Sequence, residues 1–181
     1  MYCGSNKTAL QSQRQISRAM MELIREKPYA QISISELCKT AGISRQTFYS
    51  LFTSRENVIV FTLQSDSCDS PDVRLPEACG GRDALRLLCR GYSEYIVRNR
   101  ELIKLLADNH IEHLLYDSFC EVMQSCACFL PGTDACTRAY AASFYAGGIA
   151  YLARRYALDG CTGTAEDLEK LLMTLLTGAL F

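Results

Sequence analysis

The chain has 181 residues, 49% hydrophobic and 22% charged, the balance of a soluble globular protein of one domain or two small ones. Its longest nearly apolar stretch, residues 139–153, falls short of the roughly 20 residues a bilayer span needs, and no apolar run follows the polar first residues, so a cytoplasmic protein with no membrane partner is expected. The net charge of −1 conceals an asymmetry, because residues 1–55 hold eight Lys or Arg against three Glu, a net of +5, leaving −6 on the remainder. A basic end on an acidic body points to a polyanion met at that end.

Helical periodicity opens at Thr8, which with Gln11 three residues on makes a capping-box pattern. Ile16, Met20, Leu23 and Ile24 recur at helical spacing, and Pro28 ends the helix. Ser33 with Glu36 starts a short second helix, Ile34–Thr40, which Gly42 stops. Ser44 caps a third, Arg45–Phe52, with Phe48, Leu51 and Phe52 as its apolar positions. A fourth starts within Thr53–Glu56 and leads into Val58, Ile59, Phe61 and Leu63.

Residues 65–82 lose the helical pattern and carry Pro71, Pro76 and Gly80-Gly81, which marks a linker between residues 1–64 and 83–181. Helices resume over Asp83–Asn99, Glu101–Ala107 and Ile111–Phe129. Pro131-Gly132 breaks the chain, Thr133 or Asp134 opens a long helix to Leu158, and Asp159-Gly160 closes it. Thr164 with Asp167 opens the last helix, whose stripe is Leu168, Leu171, Leu172, Leu175, Leu176 and Ala179. No strand run, internal repeat or low-complexity tract is present, so the fold class expected is all-α.

The segment with the most specific pattern is Ile32–Phe52. Leu37 and Cys38 are inward positions of its first helix, Ala41 is small where two helices approach, Gly42 makes the turn and Ile43 plugs the core beneath it. Ser44, Arg45, Gln46 and Thr47 are left polar and outward at the start of the second helix. A recognition helix presents such N-terminal residues to base edges in the major groove, where Arg pairs with guanine and Gln with adenine.

The run Ser33, Leu37, Ala41-Gly42-Ile43-Ser44, Thr47-Phe48-Tyr49 and Phe52 closely resembles the signature of the TetR family, and covers about a quarter of the chain. The resemblance implies an N-terminal three-helix helix-turn-helix domain followed by a helical domain for dimerisation and ligand binding. It implies base contacts from Arg45 and Gln46, and backbone contacts to a double-stranded operator from Ser33, Ser44, Thr47, Tyr49 and Arg55. Cys38 replaces a usual Ala, Leu51 stands where many members have a DNA-contacting His, and Arg55 stands where Lys is usual.

In that picture the last two long helices pair with those of a second copy. The leucine stripe Leu168, Leu171, Leu172, Leu175 and Leu176, and the Gly147-Gly148 face of the preceding helix, are the expected homodimer interface. Glycine inside a helix costs about 1 kcal/mol relative to Ala, and close packing would justify it. Family members commonly bind a small-molecule effector, for which Phe61, Tyr92, His110, Tyr116, Phe119, Met123, Phe144 and Tyr145 are candidate lining residues, although such a stripe also suits plain core. A co-regulator acting through a partner regulator protein is the alternative reading.

Ten cysteines without a C-x-x-C pair are read as mostly reduced, small, buried hydrophobes, neither a disulfide framework nor a metal site. His110-x-x-His113 with Cys120 lacks a convincing further ligand, so no metal or cofactor is expected. No Gly-rich phosphate loop, nucleophile elbow or Cys/His/Asn arrangement is present, so no enzymatic activity is expected.

Overall fold

The structure, a computed structural model, describes residues 6–68, 81–126, 129–160 and 162–178, without the side chains of 66–68, 81 and 82. The expectations placed on Pro71, Pro76, Gly80, Ala179, Cys3, Cys79, Cys128 and Cys161 lie outside the described residues. Nine α-helices, and no strand among the described residues, make the chain all-α. It forms two compact units, Met1–Asp66 and Ser67–Phe181.

In the first unit α1 spans Lys7–Glu26. Its N-cap is Asn6 and not Thr8, because the Asn6 carboxamide oxygen accepts the Thr8 N–H at 2.9 Å and places Thr8 inside the first turn. Pro28 follows the last turn, and Tyr29–Gln31 form a single 3-10 turn. Helices α2 (Ile34–Ala41) and α3 (Arg45–Leu51) start where the serines direct: Ser33 Oγ accepts from the Glu36 N–H at 3.2 Å, and Ser44 Oγ from the Thr47 N–H at 3.0 Å. Gly42 lies between them at φ 67°, the left-handed conformation that stops α2 and turns the chain. Helix α4 (Arg55–Cys68) runs through residues 65–68, where the linker was expected to begin.

The apolar faces of these helices meet in one core. Ile16, Met20, Leu37, Phe48, Phe52, Ile59 and Leu63 are fully buried, and α1 packs on α2 and α3. The Ser17 and Thr62 hydroxyls share a hydrogen bond of 2.7 Å that joins α1 to α4. Ile43, expected beneath the turn, is only half-buried, whereas Leu37, Cys38 and Phe48 nearby in the chain are buried.

The second unit contains α5 (Gly81–Arg98), α6 (Arg100–Asp108), α7 (His113–Ser125), α8 (Ala135–Leu158) and α9 (Ala165–Leu176). Helix α8 packs on α6 and α7, and α9 packs on α5. The inner face of α8 is made of small residues, Ala142, Ala146, Ala150 and Ala153 around Ile149, which lets neighbouring helices approach. Both expected ends of α7 move inward: His110 takes a left-handed φ of 57° in the turn after α6, and Cys126 is extended after Ser125. His110 therefore precedes the helix and does not share a helical face with His113. Thr164 and Asp167 form a complete capping box at the start of α9.

A Cβ added at Gly42 would meet nothing within 4 Å, so a substitution there isolates backbone conformation from packing. Gly42→Ala is expected to destabilise the first unit by about 1–2 kcal/mol, the cost of a left-handed L-residue. Chemical denaturation should show a lower midpoint with unchanged slope; an unshifted midpoint would remove Gly42 from the argument.

Candidate nucleic-acid interface

Helix α3 has only seven residues, too few to stand alone in water, so tertiary burial must hold it. Phe48 is 0% exposed, and its ring lies 5.9 Å from that of Phe52, which meets Phe61 edge-on at 5.6 Å. With Phe48, Leu51 and Phe52 directed inward, Ser44, Arg45 and Gln46 stand in solvent at the helix N-terminus. Thr47 is half-buried, its hydroxyl 2.9 Å from that of Ser44. Tyr49 is 50% exposed and packs edge-on against Phe48 at 5.5 Å, which fixes the base of its ring and leaves the phenol outward.

This arrangement places two long donors, Arg45 and Gln46, beside a helix end whose first N–H groups point the same way. No acidic residue lies in the first turn of α3 to oppose an anion. Helix N-termini and serine caps suit phosphate, and Arg and Gln side chains suit base edges. Ser33 is exposed at the corresponding end of α2. Leu51, at the position where the resemblance suggests His, is buried and contributes packing.

Arg55 sits differently from the others. It is half-buried, and its Nη1 donates to the backbone carbonyl of Tyr29 at 3.2 Å and to that of Ile32. Its guanidinium carbon lies 4.7 Å from the centre of the Tyr29 ring. The Tyr29 hydroxyl donates to Glu56 Oε1 at 2.8 Å. Burial, then the Glu56 bond, pushes the Tyr29 phenol well above its usual range. Burial would raise Glu56, but its own backbone N–H, the Ser54 and Tyr29 hydroxyls and Arg55 together hold it below the ordinary value of 4.5. Lys27, after α1, pairs with Glu36 in α2 and chiefly accounts for that carboxyl's lowered pKa. These partners lie up to 27 residues apart in sequence, and no local pattern announces them.

The candidate ligand-lining residues are distributed over both units. Phe61 belongs to the first unit, against Phe52. Tyr92, Phe119 and Met123 are buried, with Phe119 edge-on to Tyr92 at 4.7 Å and to Tyr95 at 5.5 Å. Burial raises the Tyr92 phenol above its usual range. Tyr116 and Tyr145 are half-buried, whereas His110 and Phe144 are exposed. Among the described residues no group of three or more His, Cys, Asp or Glu could hold a metal. Cys38 and Cys89 are buried, and burial followed by the Glu169 charge pushes the Cys89 thiol up to about 11. Cys120 and Cys126 are half-buried and Cys136 is exposed, so the buried-cysteine expectation does not extend to these three.

The expected interface residues also divide. Leu168 and Leu172 are buried within the second unit, while Leu171 and Leu175 are exposed and Leu176 is half-buried. Gly147 is half-buried, where an added Cβ would meet Tyr116 in ordinary contact at 4.0 Å. Gly148 is exposed with nothing within 4 Å. Close packing inside this chain therefore accounts for neither glycine.

Two capped helices around a left-handed glycine, with the second presenting its polar N-terminus, define a helix-turn-helix DNA-binding unit. Residues 16–60 match the family model described as bacterial regulatory proteins, tetR family. Over 107 residues it is 28% identical to the HTH-type dhaKLM operon transcriptional activator DhaS of Lactococcus lactis subsp. lactis (strain IL1403). That alignment covers 59% of this chain and 56% of the relative, so it spans little more than half of either. In structure the chain is similar to the dihydroxyacetone kinase operon activator DhaS, with a TM-score of 0.52 and 22% identity over 93% of this chain and 95% of that one. It is also similar to the fatty acid degradation regulator FadR from Bacillus halodurans, with a TM-score of 0.58 and 19% identity over 91% and 97%. These two likenesses establish the shared fold.

Because Glu56 titrates below its ordinary value of 4.5 in the folded chain, its contribution is fully present above the unfolded pKa. It is lost as pH falls through the folded value. Glu56→Gln should therefore be less stable than the parent chain at pH 7, with the difference vanishing as pH falls through the lowered pKa of Glu56. Equal stability at pH 7, by denaturant titration, would mean that the contacts of Glu56 stabilise nothing.

Proposed function

We propose that the chain is a transcriptional regulator that binds operator DNA as a homodimer, with affinity modulated by a small-molecule effector in its second unit. The observation that carries the DNA-binding reading is the exposed Ser44–Arg45–Gln46 terminus of α3, held outward by the burial of Phe48. Arg45 and Gln46 read base edges, while Ser33, Ser44, Thr47 and Tyr49 position the unit on the phosphate backbone. Arg55 adds to that backbone set through the guanidinium N–H groups not already given to Tyr29 and Ile32.

A seven-residue recognition helix spans only a few base pairs, so useful specificity requires two copies at fixed separation. The second unit offers a surface for this. Tyr140, Phe144 and Tyr151 on α8 are 76%, 73% and 69% exposed, and share with Gly148 one face at i, i+4, i+8 and i+11. A helix face of large aromatic residues left in solvent is a partner surface, and a two-fold pairing would set it against its own copy. Leu171 and Leu175 on α9 are the outward members of the leucine stripe and extend the same role. Effector binding draws support from the family resemblance and from the aromatic side chains of the second unit, Tyr116, Phe144 and Tyr145 among them, that burial does not fully consume.

Two outcomes test this reading. Arg45→Ala should lose about 1–3 kcal/mol on DNA fragments that the parent chain selects, with relaxed preference at one position; unchanged affinity and preference would remove Arg45 from base recognition. Gly148→Leu meets open space within the chain, so helicity and monomer stability should persist while the dimer overpacks and dissociates. Sedimentation in which the parent chain is monomeric at micromolar concentration, free and on DNA, would contradict the homodimer.

A further inference from the structure

The start of α4 and the residues feeding α2 are joined by contacts that the DNA-binding surface itself does not use. Arg55, first residue of α4, gives one guanidinium nitrogen to two carbonyls, those of Tyr29 and Ile32, and stacks over the Tyr29 ring. Glu56, next in α4, accepts the Tyr29 hydroxyl at 2.8 Å. Tyr29 and Ile32 are buried, and the Ile32 N–H also donates to the Tyr29 carbonyl at 3.0 Å. Ser33, the residue after Ile32, is the N-cap of α2. One short covalent step therefore separates the grip of Arg55 from the first turn of the helix-turn-helix.

From these contacts we infer that Arg55 is a positioning residue, whose guanidinium clamps the Tyr29–Ile32 turn to α4 and thereby sets α2, and α3 behind it, for DNA. This goes beyond a phosphate contact made by charge, and rests on the proposed DNA-binding reading. The chemistry requires arginine. A guanidinium is a planar fork of donors that can serve two fixed carbonyls and lie flat on a ring, whereas an ammonium is a compact point charge on a flexible stem. Lysine would keep the positive charge near the phosphates and lose the geometry of the clamp. The carbonyl partners are backbone atoms of a buried turn, so they cannot follow a wandering side chain. Tyr29 matters twice, as the ring beneath the guanidinium and as the hydroxyl that ties Glu56 to the same turn.

Arg55→Lys and Arg55→Gln separate the two roles in the full-length chain. A clamp predicts that Arg55→Lys weakens binding to a selected DNA fragment about tenfold, on the scale of one charge-assisted hydrogen bond. Its salt dependence should keep the parent slope, because the charge is retained. Amide hydrogen exchange over residues 32–37 should quicken in Arg55→Lys without DNA, at a temperature where the fold is intact by circular dichroism. Tyr29→Phe should quicken the same amides to a smaller extent, since it removes the hydroxyl bond to Glu56 and keeps the ring beneath the guanidinium. The clamp is overturned if Arg55→Lys binds like the parent chain while Arg55→Gln loses affinity and about one unit of salt slope, the signature of a phosphate contact. It is equally overturned if exchange over residues 32–37 is unchanged in Arg55→Lys. Should the parent chain select no DNA, the DNA-binding reading fails, and the exchange measurement alone still decides whether the clamp exists.

Discussion

The first unit depends on the burial of Phe48. Helix α3 is too short to persist on propensity, and its Ser44 cap satisfies one N–H without supplying a driving force for docking. The force comes from removing the Phe48 ring from water, with Leu51 and Phe52 beside it, each worth about 1.5–3 kcal/mol. Once Phe48 is inward, helical geometry leaves no choice for the rest of α3. Residues 44–46 stand in solvent and Tyr49 lies at the rim. The proposed recognition surface is thus a consequence of core packing, and the polar residues are placed by an apolar neighbour.

A second level of order comes from polar contacts between segments distant in sequence. Lys27–Glu36 joins the end of α1 to α2, Ser17–Thr62 joins α1 to α4, and Arg55–Tyr29–Glu56 joins α4 to the turn before α2. Each is part-buried, so each trades some desolvation for geometry more than for net stability. Apolar packing alone allows small slides of one helix on another. Directed bonds at the helix ends remove that freedom, as the proposed fit of this surface to a DNA groove requires.

Much of this was legible in the sequence, for reasons that can be located. Ser33, Gly42, Ser44 and the Thr164–Asp167 pair act on neighbours within three or four residues, so type and spacing announce them. Helix identity followed from apolar spacing over long stretches. What escaped was decided by contacts remote in sequence or by competition between adjacent signals. Asn6 and Thr8 are both good caps, and the Asn6 carboxamide prevails by accepting the Thr8 N–H. Phe61 meets Phe52 edge-on, a contact that apolar spacing alone does not announce. His110 takes a left-handed φ between α6 and α7, so its spacing from His113 does not put the two on one helical face. Arg55 read as a phosphate contact because the resemblance supplied that role, and its carbonyl partners lie 23 and 26 residues earlier. Periodicity likewise could not tell which leucines of α9 turn inward, since Leu168, Leu171, Leu172 and Leu175 all belong to one broad stripe.

The central claim is that DNA is met by the N-terminal end of α3 in the first unit, and amide hydrogen exchange of the whole chain with and without duplex DNA at low salt tests it most directly. The account predicts new protection concentrated in residues 44–50, with a smaller effect at residue 33 and little change across α8 and α9. Protection confined to the second unit, or none between residues 33 and 55 under conditions where DNA is bound, would contradict it.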